Sequence, residues 1–152
     1  MKRVRYLTVT DAAAPALVLA YAIGRIGCLL VGDDYGAPSS LPWAISFPNG
    51  SPPTFLAVHP TQIYDTISML IFFIILWKIR KKDFPIGWMT AVTLMVLGVQ
   101  RFLMEFLRNT TPSFIPGLSQ AQVISTILVL VGAVMLYKVS QNEGRDKESK
   151  AY

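Results

Sequence analysis

Arg25, Arg101 and Arg108 stand inside or at the mouth of stretches otherwise apolar enough to cross a bilayer, and the last two bracket Glu105. A cation at bilayer depth costs about 2.5 to 3.5 kcal/mol on insertion scales, so a chain that keeps several uses them on a polar or anionic ligand. Arginine is suited to phosphate because its guanidinium is always charged and presents a fixed fork of donors. The spacing from 101 to 105 to 108 is i, i+4, i+7, which puts the three charges on one helix face, with Gly98 one turn before them. Glu105 can then pair either arginine. Together these residues point to recognition of a phosphate head group within a membrane.

The elements that would position them are apolar helices. Hydrophobic residues make up 53% of the chain and charged residues only 15%, against about 25% charged in an ordinary soluble domain. Apolar runs at 13–31, 62–77, 85–107 and 118–137 approach the roughly 20 residues that cross a hydrocarbon core. Pro38, Pro42, Pro48, Pro52, Pro53 and Pro60 break the first connection, and Pro112, Pro116 and Gly117 the third. The expected fold is all-α: a polytopic membrane bundle of four spans in one domain, 1–139, with a long periplasmic loop and a polar, disordered tail at 140–152.

Lysine and arginine placement orients the bundle. Lys2, Arg3 and Arg5 precede the first span, Lys78, Arg80, Lys81 and Lys82 follow the second, and Lys138, Arg145, Lys147 and Lys150 follow the fourth. Both termini are therefore expected to be cytoplasmic, with 32–61 and 108–117 facing outward. In that frame Arg25, Asp33 and Asp34, then Gln62, Tyr64 and Asp65, then Arg101, Glu105 and Arg108, and finally Ser119 and Gln122 all lie in the outer leaflet. Four helices becoming polar at one end imply a water-accessible cavity there. Four isolated helices leave Arg25 facing lipid, so association with further helices is expected.

Plainer readings stand beside this one. The charges at 101, 105 and 108 suit a structural ion-pair cluster whose ends snorkel. His59 before Pro60 suits a turn, and Asp33, Asp34 and Tyr35 between Gly32 and Gly36 are ordinary turn chemistry. Trp43, Trp77 and Trp88 suit interfacial anchors. A lone cysteine, Cys28, excludes an internal disulfide and a cysteine-cluster metal site. It lies one turn from Arg25, close enough to feel its charge. A lipoprotein signal peptide ending at Cys28 is opposed by Arg25 and by the three later spans. The net charge of +5 sits at the termini and one loop, which suits anionic-lipid contact. No basic stripe with interleaved aromatics suggests nucleic acid, and no P-loop, zinc spacing or serine triad is present.

Longer motifs carry a resemblance. Gly24-Arg25-Ile26-Gly27-Cys28, continuing through Gly32-Asp33-Asp34-Tyr35-Gly36 to Leu41-Pro42-Trp43-Ala44 and Phe47-Pro48, resembles the signature region of prolipoprotein diacylglyceryl transferases. His59-Pro60-Thr61-Gln62-Ile63-Tyr64-Asp65 is similar to that family's His-Pro-Ser-Gln-Leu-Tyr-Glu segment. Arg101-Phe102-Leu103-Met104-Glu105-Phe106-Leu107-Arg108 resembles its Arg-Phe-x-x-Glu-Phe-x-Arg helix, and Leu118-Ser119 with Gln122 its Leu-Ser-x-x-Gln start.

The resemblance implies a bacterial inner-membrane enzyme that moves the diacylglyceryl group of phosphatidylglycerol to the lipobox cysteine thiol of a prolipoprotein, with no cofactor and no metal. It implies catalytic roles for Arg25, Arg101 and Glu105. Substrate binding falls to Arg25, Asp33, Tyr35, His59, Gln62, Tyr64, Arg108 and Gln122. Departures mark a divergent branch: family members usually carry asparagine at the positions of Cys28 and Val31, glutamate at Asp33, arginine at Val58 and often tyrosine at Leu97. They are also nearly twice as long, with further spans and an essential histidine ahead of the arginine-glycine motif. The expectation is a C-terminal half, completed by its own upstream segment or by an N-terminal half-protein as partner. A non-catalytic phospholipid-binding subunit, or an inactive fragment, is the alternative.

Overall fold

Helix α1 runs over Tyr6–Val31, α2 over Thr61–Ile79, α3 over Trp88–Glu105 and α4 over Gln120–Ser149, and two strands, β1 (Ile45–Phe47) and β2 (Thr54–Val58), lie between α1 and α2. This computed structural model describes residues 6–108 and 118–149, with side chains as far as Gln141. Lys2, Arg3 and Arg5 and the connection at 109–117 lie outside the described residues.

α1 is already helical at Tyr6, ahead of its apolar run, and its first polar residues are satisfied. Thr10 Oγ1 donates to Leu7 O at 3.1 Å. The Asp11 carboxylate accepts from Gly87 N at 2.5 Å, Thr90 N at 2.8 Å and Thr90 Oγ1 at 2.5 Å. α3 has no capping side chain of its own, since Gly87 with φ 97° occupies its N-cap. Asp11 therefore supplies from α1 the acceptor and the negative charge that a helix start needs. At its other end α1 closes on Gly32, φ 71°, whose N–H reaches Leu29 O at 3.3 Å while Asp33 N reaches Cys28 O at 3.1 Å. That doubly bonded ending favours glycine in the left-handed region.

The 32–61 connection corrects the all-α expectation. β1 and β2 pair antiparallel, Ile45 opposite Val58 and Phe47 opposite Thr54. Residues 36–39 run along the far side of β2, with Ser39 N to Ala57 O at 2.9 Å, His59 N to Ala37 O at 3.0 Å and Gly36 N to His59 O at 2.8 Å. Ladder bonds thus satisfy a backbone in which prolines prevent helix.

α1 packs on α2 and α3, and α4, among the described elements, packs on α3 alone. The α3–α4 approach depends on two glycines. A Cβ at Gly98 would meet Val129 Cγ2 at 2.7 Å, and one at Gly132 would meet Met95 Cγ at 2.6 Å, so small residues set the helix separation as in membrane interfaces. Ala14, Val18, Ala22, Met69, Leu76 and Met89 form the buried core. Outside it, Leu17, Ile23 and Leu30 of α1, Ile67, Ile71 and Ile74 of α2, and Ile124, Ile127 and Leu130 of α4 are all exposed. Apolar residues out and charged residues in is the arrangement of a helical membrane protein.

Tyr6–Val31, Thr61–Ile79 and Gln120–Gln141 are long and apolar enough to cross a membrane. The segment expected to span at 85–107 is helical only over Trp88–Glu105 and is not in that set; Gln100, Arg101 and Glu105 lower the hydropathy of its final turns. Beyond Glu105 the chain tightens into i→i−3 turns, Leu107 N to Met104 O at 3.1 Å and Arg108 N to Glu105 O at 3.2 Å. Arg108 therefore leaves the helix, and the single face expected at 101, 105 and 108 is not formed. At the far end, α4 continues past 139 to Ser149, into the stretch expected to be a disordered tail.

Candidate functional site

Asp65 lies just over one turn into α2 and is 1% exposed. A carboxylate in that position needs cationic partners, because an unpaired buried charge is strongly unfavourable. Arg25 from α1 puts Nε 2.7 Å from Asp65 Oδ2, and Arg108 puts Nη2 3.2 Å from the same oxygen. The Arg25 Nε contact is an ion pair without the alignment of a hydrogen bond. Gln100 Nε2 of α3 donates to the other oxygen, Oδ1. Three elements thus converge on one carboxylate.

Asp34 closes the arrangement into a ring. Its Oδ2 takes Arg25 Nη1 at 2.8 Å and Arg108 Nη1 at 3.2 Å, so two guanidiniums and two carboxylates alternate. The arginine side chains are 8% and 5% exposed while that of Asp34 is 52% exposed, which puts Asp34 at the rim. Its backbone has φ 58°, a left-handed conformation that aspartate tolerates better than most residues but that still stores strain. Burial pushes the Asp34 carboxyl up; the hydrogen bond from Arg25 and the charges of Arg108, Arg25 and Arg101 outweigh it and hold the group below the usual carboxylate range.

The start of α2 holds this rim in place. Thr61 Oγ1 donates to Asp34 O at 2.8 Å and Gln62 Nε2 to Asp33 O at 2.5 Å. Gly36 is enclosed: a Cβ there would meet His59 Cβ at 2.7 Å and Thr61 Cγ2 at 2.9 Å. The next residue ties to the end of α3, Ala37 N to Leu107 O at 2.7 Å. Glycine at 36 therefore lets the α1–β1 turn, the start of α2 and the end of α3 meet.

A second charge group lies beside the ring. Arg101 Nη2 is 3.8 Å from Glu105 Oε2, with the arginine side chain 35% and the glutamate 4% exposed. Glu105 Oε1 accepts from Ser119 Oγ at 2.7 Å. Ser119 and Gln122 form a capping box at the start of α4, Gln122 N to Ser119 Oγ at 3.2 Å and Ser119 N to Gln122 Oε1 at 2.9 Å. Glu105 is tied to Arg101 and α4, and Arg108 is paired with Asp34 and Asp65.

The structure thus gathers Arg25, Arg108, Arg101 and Glu105 at one end of the bundle, with Gln62 and Gln122 bracing the helix starts. Asp33 contributes its backbone carbonyl, and its carboxylate pairs with no arginine among the described residues. His59 Nδ1 lies 3.4 Å from Tyr64 Oη, which also accepts from Trp43 Nε1 at 2.7 Å. These three link the loop to α2. Tyr35 turns to the ribbon, stacking on Phe47 with centroids 5.5 Å apart and donating to Pro52 O at 2.7 Å. Arg25 needs no helix beyond those described to leave lipid, contrary to expectation.

Asp34, Asp65 and Ser119 are expected at the polar end of the bundle but with no assigned role in the site, and Gln100 is not expected there. For Asp65 a signal existed: a carboxylate just inside an apolar helix must find a cation, and Arg25 was the deep cation without a nearby partner in sequence. What the ring offers chemically is a pair of fixed guanidiniums with donors to spare. Arg25 Nη2 and Arg108 Nε are buried without a hydrogen-bond partner among the described residues, and unpaired buried donors of this kind suit an anionic oxygen.

The family model for prolipoprotein diacylglyceryl transferase matches residues 1–138. The phosphatidylglycerol-prolipoprotein diacylglyceryl transferase of Pasteurella multocida (strain Pm70) is 33% identical over 144 residues, which cover 91% of this chain and 52% of that protein. Its namesake in Bordetella avium (strain 197N) is 34% identical over 148 residues, 95% of this chain and 55% of the relative. That of Clostridium tetani (strain Massachusetts / E88) is 38% identical over 129 residues, 83% and 51% respectively. The chain spans about half the length of these curated relatives. The matched region takes in the whole ring, the Arg101–Glu105 pair and the start of α4, and the chain belongs to the prolipoprotein diacylglyceryl transferase family.

Proposed function

We propose that this chain carries the phosphatidylglycerol-binding part of an enzyme that transfers a diacylglyceryl group to the lipobox cysteine of a prolipoprotein. The observation that carries this reading is the ring, two buried arginines with unpartnered donors at the polar end of apolar helices. The lipid phosphate would accept from Arg25 Nη2 and Arg108 Nε and from the more exposed Arg101, taking over from rim carboxylate Asp34 as counter-charge. Asp65 fixes both ring arginines from beneath, and Glu105 positions Arg101. In the reaction the substrate sulfur forms a bond to glycerol C3 as the C3–O bond to phosphate breaks. The electron pair leaves on the phosphate oxygen of glycerol phosphate, and the thiol proton passes to a base. Arginine donors aimed at the departing oxygen stabilise the charge that grows there.

The proposed topology has α3 as a fourth span, both termini cytoplasmic and the ring in the outer leaflet of a bacterial inner membrane. Lysine and arginine placement supports it, as does the gathering of polar residues at one end of every helix. Exposed apolar faces on α1 and α2 leave room for further helices, from the same polypeptide or from an N-terminal half-protein.

The test is restoration of lipidation in a strain depleted of the transferase, read as the mass of a reporter prolipoprotein, with the chain alone and with upstream helices supplied. A gain of one diacylglyceryl group is expected, lost by at least about a hundredfold in Arg25→Ala and Arg101→Ala, as for removal of a charge-stabilising donor, and kept in Lys78→Gln. Equal activity in all three variants overturns the arginine roles. No mass gain from correctly inserted protein favours a phospholipid-binding subunit without catalysis.

A further inference from the structure

At the end of the helices opposite the ring, a cleft of about 500 Å³ opens between α1, the end of α2 and the turn into α3. Its size falls within the range of about 300 to 1,000 Å³ typical of small-ligand sites. One wall is the small face of α1, Thr8, Ala12 and Ala16; the other is the cationic run Arg80, Lys81 and Lys82. Arg80 is held in place: its guanidinium carbon lies 3.5 Å from the centroid of the Trp77 ring, and Nη1 donates to Trp77 O at 3.0 Å. None of the three cations enters an ion pair among the described residues. The one acid lining the cleft, Asp11, has both oxygens taken by the start of α3.

Depth selects the ligand. Along α2, Gln62 beside the ring and Arg80 at the cleft are about 27 Å apart at about 1.5 Å per residue, close to the roughly 30 Å of a hydrocarbon core. A helix that puts its ring end at one headgroup level puts Arg80 at the other. Pro15, Ile86 and Met89 add apolar surface to the lining. Cations and apolar residues lining one cleft at headgroup depth fit a phosphodiester that continues into acyl chains, and a soluble anion would use only the cationic part of the lining. We propose that this cleft is a second lipid site, which seats the phosphate of an anionic phospholipid in the leaflet opposite the ring. The inference rests on the reading that α1 and α2 span the membrane.

The test uses the full chain in vesicles of phosphatidylcholine containing a photoactivatable phosphatidylglycerol with its reactive group near the head, and maps labelled residues by mass spectrometry. Label is expected within 77–89. It should fall at least fivefold, in order of magnitude about 1 kcal/mol of affinity, in Lys81→Gln/Lys82→Gln and return in Lys81→Arg/Lys82→Arg. All four substitutions are at exposed positions, so folding is preserved. Undiminished label in the glutamine variant overturns the proposal. So does equal labelling by a phosphatidylcholine analogue, which would mark a mere apolar crevice, or loss of label to competing glycerol phosphate, which would mark a soluble-anion site. Label near the ring, tested separately with Arg101→Ala, reports the other lipid site, so failure of one reading leaves the other standing.

Discussion

The two charge groups at the polar end of the bundle are built from the same residue types and do opposite things. In the ring, Arg25 and Arg108 are buried and share two carboxylates at 2.7 to 3.2 Å, so their positions are over-determined by three helices and a turn. Arg101 has one partner at 3.8 Å and is a third exposed. Burial with several partners fixes a guanidinium and removes its freedom to follow a ligand. Exposure with one loose partner leaves it free to move. On the proposed reading, a site that first holds a lipid phosphate and then lets its charge grow benefits from having both kinds.

The largest expected contrast comes from Asp65→Ala, which strips the ring of its buried carboxylate and leaves two buried arginines with only the rim carboxylate Asp34 between them. Breaking a buried pair by removing one partner costs about 3 to 5 kcal/mol. The melting temperature of the detergent-solubilised chain should fall accordingly. An Asp65→Ala variant that melts with the parent would mean that the ring does not organise the bundle.

Ser119→Ala should come next. It removes the cap of α4 and the hydroxyl that donates to Glu105, together about 1 to 2 kcal/mol. Because α4 packs on α3 alone among the described elements, the loss should appear as earlier hydrogen exchange in α4 while α1 and α2 stay protected. Equal loosening of all four helices would refute that independence.

Asp34→Asn has a smaller effect, confined by pH. Asn also adopts the left-handed region, so the φ of 58° is kept and only the charge is lost. The folded-state value of Asp34 is depressed, so its stabilisation is fully present above the unfolded value, about 3.9, and is lost as pH falls through the lower folded value. The parent should therefore be the more stable by a constant margin from neutral pH down to about pH 4, and the margin should narrow below that. Melting temperatures against pH decide it. A margin that vanishes near neutrality would place the titrating group elsewhere.

Much of this was legible before the fold. Apolar length marks α1, α2 and α4, and Gly32 marks where α1 stops. That α1 is already helical ahead of its apolar run was hidden because Thr10 and Asp11 look like breakers until α3 supplies their donors. The ribbon was hidden because β2 is a five-residue strand, Thr54–Val58, set among prolines. In the site, residue types showed that cations were buried and periodicity placed Arg101 and Glu105. Periodicity also misplaced Arg108, because the helix ends at Glu105 and the guanidinium crosses to Asp34 and Asp65 from a turn. Partner choice depends on how three helices converge, and no local pattern encodes that convergence.

Arg101→Gln should change stability least and function most among these variants. A 3.8 Å contact between a buried carboxylate and an arginine that is a third exposed is loose, worth about 1 kcal/mol, so melting should move little. Glu105 keeps the Ser119 hydrogen bond to Oε1 at 2.7 Å, and what it loses is the loose cationic contact of its buried Oε2. If Arg101 is the arginine free to follow the phosphate, its loss removes a donor aimed at the departing oxygen, worth about a hundredfold in rate. Lipid binding, still supported by Arg25 and Arg108, should weaken far less than transfer. An Arg101→Lys variant separates charge from geometry, since the lysine keeps the first and loses the planar fork. Equal losses in lipid affinity and transfer would instead make Arg101 a third binding residue, and the functional division between a fixed ring and a mobile arginine would fall.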